Sequence, residues 1–158
     1  MDITLPANGW KPRDYQQPLW NYLTGGKDMP WDTSDKHAEV VAHRRWGKDE
    51  ICLNFAACDM VANPASYWHM LPLQVQVRRA IWLAVNPHSG RRRIKEAFPE
   101  EIFTYNESDM MVKCKANDAT WQCIGSDNYD AAVGSSTRGI AYSEWALANP
   151  TARGYLRP

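Results

Sequence analysis

The sequence predicts an α/β domain: a mainly parallel sheet flanked by helices, with a β-hairpin inserted. Two observations carry this. Short runs rich in β-branched and aromatic residues alternate with stretches whose apolar residues recur at helical spacing, the pattern of strand-helix units. One pair of strand-like runs is separated only by an Asn-Asp turn, which gives the hairpin.

From the N-terminus, residues 1–36 are rich in Trp, Pro and Gly and form an irregular lead-in, with a short helix around 13–23. "AEVVAH" (38–43) reads as a short buried strand. "GKDEICLNFAACDMVA" (47–62) then places Ile51, Phe55, Cys58 and Ala62 on one helical face. "SYWHML" (66–71) is a second strand, in which His69 reads as a satisfied core residue rather than a ligand. After Pro72 the series Leu73, Val77, Ala80, Ile81 and Ala84 marks another helix. "NPHSGRRRIKEAFPEEI" (86–102) is a basic loop, and "MMVKCKANDATWQCIG" (110–125) is the hairpin. "IAYSEWAL" (140–147) is a last short strand ending in a carboxylate.

Composition narrows the partners. Eighteen Lys and Arg balance eighteen Asp and Glu, so contact with nucleic acid needs a local basic patch rather than overall charge. Arg91, Arg92, Arg93 and Lys95 form the densest such run, although a solvated loop explains it as well. No apolar stretch approaches the roughly 18 residues needed to span a bilayer, and a cytoplasmic protein without membrane contact is expected. The four cysteines lack C-x-x-C spacing and read as buried thiols rather than zinc ligands. Trp68, Trp82 and Trp121 sit in apolar stretches, as core residues do.

The segment Ala42-His43-Arg44-Arg45-Trp46-Gly47-Lys48-Asp49 carries the chemistry. A phosphate-binding loop of pattern G-x-x-x-x-G-K-[ST] cradles phosphates with backbone N–H groups at a helix N-terminus. Its lysine neutralises the terminal phosphates and its hydroxyl reaches magnesium. Gly47 and Lys48 match that pattern, while Ala42 replaces the first glycine and Asp49 the hydroxyl residue. Trp46, at a variable position of the loop, is expected to wedge it against the sheet. The strand before and the helix after supply the expected context. An ATPase of this type also needs a carboxylate at the end of a neighbouring strand, and Glu144 is in place for it, preceded by Ser143.

"RRWGKD", "GSDNYDAAVGSSTRG" and "IAYSEWALANP" together resemble the ATPase domain of the large terminase subunit of tailed phages, over about residues 10 to 150. The resemblance implies a P-loop NTPase fold of the additional-strand ATPase type and hydrolysis of ATP with magnesium. It further implies a role in driving double-stranded DNA into a capsid, in the host cytoplasm. Implied partners are a portal protein, a small terminase subunit and further copies of the chain. It implies phosphate contacts from Gly47 and Lys48, catalysis by Glu144, and approach of Arg44 or Arg45 to the terminal phosphate. Tyr15 and Gln16, in "PRDYQQPLW", resemble the family's adenine-recognising element. Asp49 and Ser143 take the metal-site positions with hydroxyl and carboxylate exchanged, holding magnesium directly or through water. The family continues into a coupling motif and a nuclease domain, so residues 37–158 are expected to form a partial ATPase domain without nuclease activity. A non-catalytic nucleotide-binding or regulatory module of a terminase is the alternative, as is a helicase-like ATPase.

Overall fold

The computed structural model describes residues 4–27, 31, 36–132 and 134–155; the remainder of the lead-in, residue 133 and the last three residues lie outside it. In chain order the elements are α1 (Gln17–Thr24), α2 (Lys48–Ala62), β1 (Ser66–Leu71) and α3 (Gln74–Val77), which continues through a π-helical turn to Trp82. Then come α4 (Arg93–Ala97), β2 (Phe103–Asn106), β3 (Met111–Cys114), β4 (Thr120–Gly125), a 3₁₀ segment (Ser126–Ala132), β5 (Gly139–Tyr142) and α5 (Pro150–Tyr155). Among these elements none is a helix long and apolar enough to cross a membrane.

The five strands form one sheet in the order β2-β3-β4-β1-β5. β1 pairs in parallel with both β4 and β5, whereas β2–β3 and β3–β4 are antiparallel. The expected α/β class is therefore present, but the sheet is mixed rather than mainly parallel. The hairpin around Asn117 and Asp118 is as expected, and its second strand is the one that joins the parallel half. β2 and α4 are additions to the expected elements, because "FTYN" is short and polar and α4 lies inside the basic run. The i, i+3, i+4 spacing of buried Ile94, Ala97 and Phe98 is the signal that marks α4.

β1 runs through the core, and five of its six residues are buried. Alternation sends Tyr67, His69 and Leu71 to the face covered by α2 and Trp68 and Met70 to the other face. On the first face Tyr67 and Leu71 join Leu53, Ala57, Met60, Trp82, Phe98 and Trp121. Trp68 and Met70 pack with Ile124 of β4, Ala132 of the 3₁₀ segment and Ala152 of α5. Trp68, Trp82 and Trp121 are core residues as expected, and the four cysteines are free thiols. Burial pushes Cys52 and Cys58 up to about 12, with Asp49 and Asp59 respectively adding to it, so both remain thiols.

α2 is held firmly at its C-terminal end and along both sides. The C-terminal end is pinned by buried Asp59, which accepts hydrogen bonds from Tyr67 Oη (2.8 Å) and Asn63 Nδ2 (2.8 Å) and lies 3.6 Å from Arg138 Nε. Burial and Asp59 together push the Tyr67 hydroxyl far up, so it stays a donor. The lead-in packs on the outside of the same helix: the Trp31 ring stacks on Phe55 at 5.5 Å and Trp20 meets both edge-on. With sheet and lead-in on its two sides, α2 is apolar around most of its circumference.

The expected strand over 38–43 is not there. Residues 36–43 belong to no strand, and Val41 is 95% exposed. An extended run belongs to a sheet only where its backbone pairs with a neighbouring strand, and among the described residues β5 has β1 on one side and no strand on its outer edge. The phosphate-loop context is thus half present: a helix comes after the loop, but no paired strand precedes it.

Candidate functional site

The parallel strands β1, β4 and β5 end on the same side of the sheet, and the first turn of α2 meets them there. Crevices at the carboxyl ends of such strands are the usual binding places in open α/β sheets. A cleft of about 190 Å³ opens at this point between Arg44, Arg45, Gly47, Lys48, Asp49 and Glu144, with Trp46, Glu50 and Arg93 completing its wall. Seven of the nine lining residues come from the segment 44–50, so the loop and first helical turn build most of the cleft.

The local backbone explains the loop. His43 to Trp46 make a tight turn with Trp46 N–H donating to His43 O at 3.4 Å, and Arg45 adopts φ 65°. Gly47 comes next as the N-cap of α2 with φ 88°, a left-handed value that costs an L-residue about 1–2 kcal/mol. No side chain caps the helix, so its first N–H groups and the positive end of its dipole face the cleft. A Cβ on Gly47 would lie 2.6 Å from Gln16 Nε2 and 3.1 Å from the Arg13 guanidinium. Gly47→Ala is therefore expected to lower stability by about 1–2 kcal/mol in urea denaturation, because an L-residue is strained at this left-handed φ.

Gln16 and Tyr15 are brought to the loop. Gln16 Nε2 donates to Trp46 O (2.8 Å) and more weakly to Gly47 O (3.4 Å), while its Oε1 accepts from Arg13 N–H (2.9 Å). Its amide is thus engaged in tying the lead-in to the loop. Tyr15 is half-exposed and its ring lies 5.5 Å from that of Trp46. Trp46, expected to wedge the loop against the sheet, packs against the lead-in instead.

Charge in the cleft is arranged in two groups. Lys48 Nζ lies 3.4 Å from Glu144 Oε1, joining α2 to the residue two beyond β5. Glu144 itself sits at φ 52°, a left-handed conformation that turns its half-exposed side chain away from the strand direction toward the lysine. Arg44, Arg45 and Arg93 form the second group, and among the described residues none of them has an ion-pair partner. Guanidinium groups that line one cleft and are not paired with carboxylates are available to an anion. In the sequence Arg93 is one member of a basic run; the backbone bond from its N–H to Ala84 O (2.8 Å) at the start of α4 is what holds it here.

Asp49 forms the floor. Its Oδ1 lies 3.0 Å from Nε2 of His69, which has no solvent exposure. Burial opposes ionisation of Asp49, but the His69 bond and charge, the Ser143 hydroxyl and Lys48 outweigh it and hold the carboxyl below its ordinary value. Ser143 faces this carboxylate without closing a hydrogen bond, and its Oγ is buried without a partner. His69, expected to be a satisfied core residue, is buried, but only one of its ring nitrogens is satisfied. No sequence signal links His69 to Asp49, since they meet only once α2 has crossed β1.

The "GSDNYD" segment is structural at this end of the sheet. Gly125 lets β4 approach the first turn of α3 so closely that a Cβ would fall 2.2 Å from Gln74 N. Asp127 Oδ1 accepts from Gln74 N–H at 2.8 Å, and Ser126 Oγ donates to Pro72 O at 2.8 Å. A second hollow, about 210 Å³, lies on the opposite face of the sheet beside Trp68, Gln122, Asn128 and Ser135, and contains none of the expected site residues. Among the described residues no three His, Cys, Asp or Glu side chains cluster as a metal cage. No protein-family model, curated protein or solved structure matches the chain.

Proposed function

We propose that the cleft binds the phosphates of ATP with magnesium and hydrolyses the terminal phosphate, and that the chain is the ATPase part of a terminase-like DNA-packaging motor. The observation that carries the nucleotide reading is the Lys48–Glu144 pair at 3.4 Å. It joins residues 96 positions apart at the N-terminus of a 15-residue helix, beside guanidinium groups without carboxylate partners. That combination offers a phosphate binder and a general base within one cleft.

Each residue takes its role from its position. Backbone N–H groups at Gly47 and the first turn of α2 receive phosphate oxygens. Lys48 leaves Glu144 for the phosphates, freeing the carboxylate to accept a proton from the attacking water. Arg44, Arg45 and Arg93 surround the terminal phosphate, where charge grows in the transition state. Magnesium fits the remaining donors. It favours oxygen ligands, keeps several of its waters and needs only one or two carboxylates besides the phosphates. The half-exposed Asp49 carboxylate is such a donor, with the unpartnered Ser143 hydroxyl buried behind it, and the ion would supply charge neutralisation at the phosphates. In the intact motor, turnover would move double-stranded DNA, with a portal, a small terminase subunit and further copies as partners.

The non-catalytic alternative draws on residues 36–43, whose exposure leaves the loop without a strand beneath it. ATP binding and magnesium-dependent turnover, with and without DNA, separate the two: binding without turnover by this chain and by a version extended at its C-terminus favours the module. The exchange of hydroxyl and carboxylate gives a further prediction. Asp49→Ser and Ser143→Asp each weaken magnesium-dependent ATP binding, and the double variant recovers about 0.5–1 kcal/mol relative to the sum of the single losses, as for residues sharing one network. Strictly additive losses in a magnesium titration would show that the two residues do not share the ion.

A further inference from the structure

Asp49 is the residue on which the magnesium reading rests, and its side chain is not held by its own helix. It is held by His69, from the centre of the sheet. β1 lies between β4 and β5, with His69 opposite Cys123 on one side and Ala141 on the other, so its backbone is locked by strands on both edges. Its ring is fully buried, meets Trp121 edge-on at 5.9 Å, and points at α2. A carboxylate only accepts hydrogen bonds, so Nε2, 3.0 Å from Asp49 Oδ1, carries the hydrogen and donates it. Nδ1 then has no partner. Burying a polar ring with one nitrogen unsatisfied costs stability, and an aromatic hydrocarbon would fill the same space without that cost. A packing role alone does not explain a histidine here.

We infer that His69 is a positioning residue for the cation-binding carboxylate: it clamps Asp49 Oδ1 from beneath and so fixes a half-exposed carboxylate whose other oxygen, Oδ2, is left for a hydrated divalent cation carried by the nucleotide. This rests on the reading of the cleft as a magnesium-nucleotide site. The physical basis is general. A metal-binding carboxylate that is free to rotate loses binding free energy when it is frozen, whereas one already fixed by an outer hydrogen bond does not, and removing such outer partners typically costs about 10- to 100-fold in metal affinity. The clamp uses a strand rather than a loop, so its position does not relax when the cleft empties. Lys48, Cys52 and Cys123 are the other titratable groups that interact with Asp49, and none of them donates to Oδ1 in place of His69.

The test compares His69→Gln with His69→Met, two unbranched side chains of similar size that differ chiefly in the N–H donor. ATP affinity is measured by calorimetry with excess magnesium and again in EDTA, with folding checked by circular dichroism. His69→Met is expected to weaken ATP binding in magnesium by about 10- to 100-fold while leaving affinity in EDTA within about twofold of the parent. His69→Gln is expected to stay within about threefold of the parent in both conditions, the rescue that a merely structural role would not give. Equal behaviour of the two variants in magnesium overturns the clamp, as does an equal loss with and without magnesium. Failure of the parent chain to bind ATP in either condition overturns the nucleotide reading itself and the clamp with it, an outcome distinct from normal binding that His69→Met leaves unchanged.

Discussion

Glu144→Gln is expected to lower magnesium-dependent ATP turnover by about 100-fold or more while leaving ATP affinity equal to or tighter than that of the parent. A group that accepts the proton of the attacking water acts in the transition state, so its loss appears in turnover. The direction of the binding effect comes from the ion pair. Without nucleotide, Glu144 holds Lys48 at 3.4 Å, and the lysine must leave this partner to reach a phosphate. Glutamine keeps the shape of the side chain but releases the lysine. The pair is half-exposed on the Glu144 side, where such bridges contribute little to folding, so the variant should remain folded. Steady-state turnover together with calorimetric ATP affinity checks both halves. Parallel loss of binding and turnover would assign Glu144 a structural role and remove it from the chemistry.

Lys48→Ala is expected to weaken ATP binding by about 1–3 kcal/mol, roughly 5- to 150-fold, the range for a hydrogen bond to a charged group. Lys48 is the first residue of α2, and its side chain is one-third exposed. Alanine is favourable in helices, so the substitution tests the charge rather than the fold. The cleft keeps its arginines and helix N-terminus, and binding should therefore fall without vanishing. Unchanged affinity by calorimetry would exclude this loop as a phosphate site. Glu144→Gln and Lys48→Ala also make different predictions for affinity, equal or tighter against weaker, although each breaks the same ion pair. Tighter binding in one and weaker binding in the other would exclude simple disruption of the loop as the common cause.

The local elements are legible wherever periodicity and burial agree. Ile51 and Cys58 are buried on α2 as their spacing predicts, and "SYWHML" is a strand because its β-branched and aromatic character suits a position covered on both faces. The Asn-Asp turn places the hairpin because turn chemistry acts over a few residues. Gly47, Lys48 and Asp49 can be read together from their adjacency in sequence, and the resemblance adds Glu144 to them. Arg93 and His69 cannot be found in this way. Arg93 is hidden in a run of like charges, and His69 carries no motif.

The class of the domain, the helix over "GKDEICLNFAACDMVA" and the residue types available to a phosphate site are legible in the chain, because these depend on patterns within a turn or a strand. Which strands pair is settled by the tertiary structure, since pairing is made between segments far apart in the chain. That is why "AEVVAH", a good strand by composition, stays outside the sheet, while "FTYN", a poor one, is captured by β3. Only the tertiary structure brought Lys48 to Glu144 and Asp49 to His69. Lys48 and Asp49 come from the first turn of α2, Glu144 from just beyond β5 and His69 from β1, and the core in which Leu53, Ala57 and Met60 of α2 join Tyr67 and Leu71 of β1 holds the helix where these side chains meet.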